Sequence, residues 1–116
     1  MQKMTIYHKL YSLNQFRNEH YHVLNKIKIE WSNIIHLSCI ANGINPIDKC
    51  KIRFTFIFKD KKRRDIDNYC ATVKMVMDGL VDAGRLKDDS IEFVKSIEMT
   101  SRVDRKEGIE IEIEEI

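Results

Sequence analysis

Residues Gly108 to Ile116 alternate without a break, with Ile109, Ile111 and Ile113 set between Glu110, Glu112 and Glu114. Successive side chains of a strand point to opposite faces of its sheet, so this period of two predicts a half-buried strand with one solvated face. Ile52, Phe54, Phe56 and Phe58 alternate with Lys51, Arg53, Thr55 and Lys59 in the same way. Strands of this kind require a sheet covered on one face, and the cover must come from elsewhere in the chain.

Two helical stretches supply it. From about Asn14 to Ile40, Leu24, Ile27, Trp31, Ile34, Ile35 and Ser38 recur at three- and four-residue steps, and Asn42-Gly43 provides the stop. A second helix is predicted from roughly Asn68 to Asp82, ended by Ala83-Gly84. Lys3 to Lys9 reads as a short opening strand and Ile91 to Met99 as a strand of imperfect alternation. The expected fold class is α+β: two helices packed on one mixed β-sheet, in the order β-α-β-α-β-β. No repeat, low-complexity tract or Gly/Ser/Pro linker divides the chain, so residues 1–116 read as a single domain.

A monomer of this length buries only about two-thirds of the surface its unfolded chain exposes, which makes a dimer interface a natural supplement. The formal net charge is only +2, but the charges are segregated. Lys49, Lys51, Arg53, Lys59, Lys61, Lys62, Arg63 and Arg64 crowd the middle, and Glu107, Glu110, Glu112, Glu114 and Glu115 the end. Such segregation builds a local field for a polyanion in a nearly neutral molecule. Cys39, Cys50 and Cys70 form neither a disulfide framework nor a CxxC metal motif, which fits a reducing cytosol. No apolar run is long enough for a membrane span, so the expected location is cytoplasmic, with no membrane partner.

The chemistry concentrates in Arg63-Arg64-Asp65-Ile66-Asp67-Asn68, followed by Lys74, Asp78-Gly79-Leu80 and Asp88-Asp89-Ser90. Mg²⁺ prefers hard oxygen ligands and usually takes one or two carboxylates, leaving positions for water and phosphate. Asp65 and Asp67, two residues apart in an extended approach to a helix, point to one side; a further carboxylate comes from Asp88-Asp89. At about 100° per residue, Asp67, Lys74 and Asp78 fall in a stripe roughly 40° wide. Tyr69, Val73, Val76, Met77 and Leu80 lie on roughly the opposite side. The same residues admit a plainer account, in which Asp67 caps the helix and Lys74–Asp78 is an ordinary i,i+4 ion pair.

Arg63 and Arg64, beside the paired aspartates, are placed to grip phosphates flanking a cut; the plainer account of Lys59 to Arg64 is a solvated loop. An EF-hand is excluded, because its loop needs an oxygen ligand near Tyr69 and a glycine at Cys70. A nucleotide-sugar transferase DxD normally needs a larger α/β scaffold. His20-x-His22 has no evident third metal ligand.

Taken as an ordered set, Arg64-Asp65-Ile66-Asp67-Asn68, Lys74, the run Asp78 to Gly84 and Asp88-Asp89-Ser90 resemble the RusA family of Holliday-junction resolvases. Ser12-Leu13-Asn14 and the helix bearing Lys26 and Lys28 resemble its phage and Gram-positive branch. The gap from Asn68 to Lys74 is longer than in the enterobacterial branch, and that branch's N-terminal proline-rich loop is absent. The resemblance implies a homodimeric, Mg²⁺-dependent endodeoxyribonuclease, with Mn²⁺ as a substitute, that nicks four-way DNA junctions on two opposed strands. By the same resemblance Asp65, Asp67 and Asp89 are catalytic metal ligands, Asp88 is a helper or alternative ligand, and Lys74 is the essential lysine. Lys61, Lys62, Arg63, Arg64, Lys26 and Lys28 are then the expected DNA contacts. Two rivals stay open: a non-catalytic protein that binds branched DNA, and a nuclease acting on flaps or single strands.

Overall fold

In the computed structural model, which describes residues 1–116, the isoleucine–glutamate alternation becomes strand β4 (Gly108–Glu115) inside a four-stranded sheet. Strands β1 (Gln2–Ile6) and β2 (Cys50–Phe58) run antiparallel on either side of it. Strand β3 (Val94–Val103) runs parallel to β2, giving the order β1-β4-β2-β3. Ile52, Phe54 and Phe56 pair with Ile113, Ile111 and Ile109, so the apolar sides of the two alternating strands merge into one buried surface. On the opposite face Lys51 stands across from Glu114 and Arg53 across from Glu112. Opposite charges on facing residues favour this register, and a one-residue slip would turn charges into the core.

Helices α1 (Leu13–Arg17), α2 (Tyr21–Ala41) and α3 (Cys70–Asp82) complete the fold. Helix α2 buries Ile27, Trp31, Ile35 and Cys39, one residue per turn. Helix α3 buries Val73, Val76, Met77 and Leu80, the predicted face, and also Ala71, Thr72, Met75 and Gly79. Its buried arc is therefore wider than a one-sided amphipathic helix requires, because α2 and the segment at Tyr11 also pack against it. At Gly79 the two helices nearly touch: a Cβ there would stand 2.8 Å from Ile35 Cβ. The Thr72 hydroxyl donates to the Tyr11 carbonyl at 2.8 Å and accepts from the Tyr11 N–H at 3.0 Å, fastening the N-terminal segment to α3.

The α+β class stands, with the order β-α-α-β-α-β-β. The predicted helix from Asn14 to Ile40 is two helices, separated around Asn18–His20. A capping box between Ser12 and Gln15 starts α1, and His20 restarts the chain by accepting the His22 N–H on its ring nitrogen. Helix α3 is entered through a 3-10 turn, Ile66–Tyr69, so the helical path begins before Asn68. Strand β3 begins at Val94 instead of Ile91, because the Ser90 carbonyl accepts from both Phe93 and Val94 and curls that stretch into a turn. It continues past Met99 to Val103 on its ladder with β2, where the sequence shows no alternation.

Candidate active site

The chain leaves β2 at Phe58 and enters a basic loop that is cinched from within. The Asp60 carboxylate accepts the Lys62 N–H at 3.0 Å and pairs with the Arg64 guanidinium at 2.9 Å. The Lys62 N–H, and after it Arg64, hold the Asp60 carboxyl below its usual range. Arg64 also donates to the carbonyls of Asp60 and Lys62 and lies 4.2 Å from the centroid of the Phe58 ring. Its fork and its planar face are thus spent on loop structure. Lys61, Lys62 and Arg63 stay exposed.

Asp65 follows in extended backbone, at the cap position of the 3-10 turn, without making a capping hydrogen bond. Its carboxylate meets only Arg63, at 3.2 Å, and both side chains are exposed. Tyr69 holds the cap position of α3 and makes no side-chain capping bond either. Asp67 is exposed within the turn. It neither caps the helix nor forms an ion pair, so the capping account does not explain it.

Farther along α3, the Lys74 ammonium lies 2.9 Å from Asp78 and 2.8 Å from Asp89. The first contact is the expected i,i+4 pair. The second spans 15 residues and ties the connection into β3 back to the helix. The hydrogen bond to Asp89, and then that to Asp78, raises the Lys74 pKa above the ordinary lysine range. The Lys74 ammonium in turn holds Asp89 below the usual carboxylate range. Lys74 is therefore a fixed positive charge and Asp89 a fixed negative one. Asp88 is exposed beside it.

This clamp borders a groove of about 350 Å³ between α2 and α3, lined by Lys28, Ser32, Asp78, Asp82 and Asp89 among others. Asp82 accepts a hydrogen bond from the Ser32 hydroxyl at 3.2 Å. A second groove, about 280 Å³, lies beside the basic loop, walled by Phe58, Ile66, Tyr69 and Val103 and rimmed by Lys61, Lys62, Arg64 and Arg102.

The predicted site residues thus divide into two groups. Asp65 and Asp67 stand with Lys61 to Arg64 before α3, while Lys74 and Asp89 meet along the helix with Lys28 at their groove. Roughly 12 Å of helical rise separates Asp67 from Lys74. No three His, Cys, Asp or Glu side chains are gathered closely enough to hold a metal ion. Lys26, two positions from Lys28 on α2, projects roughly 160° away from it around the helix. Sequence reasoning missed Ser32, Asp82 and Arg102. Asp82 had a signal in its i+4 spacing from Asp78; Arg102 had none, because its place follows from the register of β3 on β2.

The donor chemistry suits a hard divalent cation. Asp65 and Asp67 offer carboxylate oxygens that no capping bond consumes, and Mg²⁺ commonly takes one or two carboxylates, with water and phosphate filling its other positions.

The family model for endodeoxyribonuclease RusA matches residues 15–114, nearly all of the chain that follows β1. No curated protein matches the chain significantly. A basic loop, a pair of uncommitted aspartates and a lysine–aspartate clamp along one helix fall within the matched span, and the chain belongs to the RusA family of endodeoxyribonucleases, hydrolases acting on the phosphodiester bonds of DNA.

Proposed function

We propose that this endodeoxyribonuclease resolves four-way (Holliday) junctions, working as a homodimer with Mg²⁺, or Mn²⁺ in its place. Asp65 and Asp67 would hold the ion, with Asp89, fixed by Lys74, and Asp88 as charge support farther along α3. When bound, the ion would supply Lewis-acid polarisation of a phosphate and a lowered pKa for water, which makes hydroxide available near neutral pH.

The chain's own residues do the rest. Arg63, Lys61 and Lys62 grip phosphates on either side of the cut, and Arg64 stiffens the loop that carries them. Lys74 keeps Asp89 ionised and adds positive charge along the α3 edge, where phosphate charge builds up in the transition state. Lys28 extends the basic approach from α2, and Lys26 serves DNA away from that groove. Two copies about a two-fold axis match the symmetry of a four-way junction. A cytoplasmic setting is supported by the unpaired Cys39 and Cys50, whose thiols are buried and pushed up in pKa by that burial. No helix is long and apolar enough to cross a membrane.

The observation that carries this reading is the Lys74 ammonium shared between Asp78 and Asp89. It binds the two distant acidic motifs to the same helix, whose entry turn leaves Asp67 free. The test is cleavage of synthetic four-way, three-way, flap and linear DNA with Mg²⁺ and with chelator. Paired nicks confined to the four-way junction, dependent on metal and lost in Asp67→Asn while junction binding persists, are expected. Preferred cutting of flaps or single strands would replace the junction assignment, and metal-independent binding without any cutting would favour an architectural protein.

A further inference from the structure

The sheet ends differently on its two sides. Strand β1 is five residues long, and the Gln2 side chain at its start exchanges hydrogen bonds with Asn45. Strand β3 is ten residues long and has β2 as its only strand neighbour. In a parallel ladder the N–H and C=O of alternate residues point to the same side. Asp104 donates to the Phe58 carbonyl, so the even-numbered residues of β3 from Ser96 onward point into the sheet. Ile97, Met99, Ser101 and Val103 then carry their N–H and C=O groups outward. A long bare edge of this kind is a template for pairing with another strand.

The side chains favour one partner. The outward-bonding residues place Ile97, Met99 and Val103 on the helix-bearing face, where Ile97 and Val103 are each 48% exposed. Ile66 in the neighbouring 3-10 turn is exposed as well. On the other face β3 presents Glu98, paired with Arg53 at 2.7 Å, and Arg102, paired with Glu110 at 3.2 Å, so a copy's charges would extend these pairs across the seam. An antiparallel copy centred on Thr100 sets Ile97 against Val103 and Met99 against Ser101 as hydrogen-bonded pairs. It also sets Glu98 against Arg102 of the other copy, twice. Sliding this pairing by two residues one way sets Glu98 against Asp104, and the other way leaves both charges facing Thr100 or Ser96. Only the Thr100-centred register satisfies the backbone direction, the apolar strip and the charges together.

We infer that β3 is the dimer surface, joined edge to edge with β3 of a second copy about a two-fold axis through Thr100. This rests on the homodimer proposed above and specifies where its halves meet. Each copy's Asp65–Asp67 segment follows the end of β2 beside Val103. The two segments would therefore stand roughly 20 Å apart along the strand direction, on either side of the axis.

Thr100 would form a non-hydrogen-bonded pair with its own counterpart, with Cα atoms about 4.5 Å apart, a spacing that a disulfide spans. In a Cys70→Ser background, which removes the exposed native thiol, Thr100→Cys should cross-link the dimer under mild oxidation, while Ser96→Cys in the same background should not. Ser101→Pro removes an outward N–H and leaves the ladder to β2 intact. It should convert the dimer seen by sedimentation velocity into a monomer with a native circular dichroism spectrum. If Ser101→Pro does not fold, the cross-link decides alone. A monomeric wild-type protein at tens of micromolar, or a dimer that Thr100→Cys does not cross-link, overturns the surface. A dimer that cross-links at Thr100 yet cuts no four-way junction would instead sink the junction-resolving reading and leave this surface standing.

Discussion

The two ends of the acidic constellation are built to opposite plans. Around Lys74 the groove's carboxylates are engaged: one ammonium serves Asp78 and Asp89, and Asp82 accepts from Ser32. Before α3, the Asp65 carboxylate pairs only with an exposed arginine and that of Asp67 makes no hydrogen bond or ion pair, while the neighbouring loop is tied down by Asp60 and Arg64. A braced loop leading to exposed carboxylates, one paired only with a surface arginine and one unpaired, leaves those groups accessible to something outside the chain. A saturated clamp is prepared to hold its own parts in place. On the function proposed above, this difference corresponds to unequal roles, with Asp65 and Asp67 as ligands and Lys74–Asp89 as the charge support.

Substitutions that attack this asymmetry should differ in size. Asp67→Asn removes ligand charge at constant volume. Loss of a partner that merely supports a metal ligand typically costs 10–100-fold, so loss of the ligand itself should lower the junction-nicking rate by more than about 100-fold. Native binding of the junction, followed by gel shift without metal, should persist. Next, Lys74→Met keeps the aliphatic stem and deletes the charge. Nicking should fall by roughly 10²–10³-fold, the usual cost of removing one preorganised electrostatic donor. A loss no larger than that of a remote surface lysine would show the clamp to be structural only.

A smaller effect, confined to stability, is expected where the helices meet. Gly79→Ala pushes a methyl into Ile35. Overpacking of this kind costs about 1–3 kcal/mol, which lowers Tm by several degrees in a domain of this size. Nicking per folded molecule should be unchanged at low temperature. An unaltered Tm would mean that α2 and α3 are not in the close contact described.

The smallest effect concerns pH. Asp89 has a lowered pKa in the fold, so its contribution to stability is present above the ordinary carboxylate pKa and is lost as pH falls through its folded value. Both partners are partly solvated, which keeps that contribution under about 1 kcal/mol. Asp89→Asn should therefore lower stability slightly at neutral pH and flatten the loss below about pH 4. Urea unfolding at a series of pH values reads this directly. An acid limb identical to that of the wild type would show that Lys74 and Asp89 do not pair in solution.

Much of this was legible in the sequence, for reasons particular to each element. Strands β2 and β4 declared themselves because apolar residues alternate with polar ones, and their facing charges, Arg53 with Glu112 and Lys51 with Glu114, favour how they meet; the second face is nonetheless buried at Thr55, Ile57 and Glu110, which alternation does not show. The apolar face of α3 was legible from its period. Its full burial was not, because that depends on α2 passing over Gly79. The break between α1 and α2 is made by a capping box and a histidine, local hydrogen bonds that leave the apolar period undisturbed. The extent of β3 was hidden for a related reason: as an edge strand it is largely exposed, so it carries no burial pattern to read.

At the candidate site, the i,i+4 pair of Lys74 with Asp78 was legible from helical spacing. The contact between Lys74 and Asp89 depends on how the chain returns from α3 to β3, which periodicity does not record. Arg64 offers the opposite lesson. In sequence it is one more cation in a basic run, whereas in the fold its guanidinium is consumed by Asp60, two carbonyls and the Phe58 ring.

The most direct test of the unequal roles is anomalous diffraction from a crystal soaked in Mn²⁺. A peak within ligand distance of Asp65 and Asp67 is predicted. A peak held instead by Asp78, Asp82 and Asp89, with none beside Asp65 and Asp67, would contradict the assignment of ligands and support.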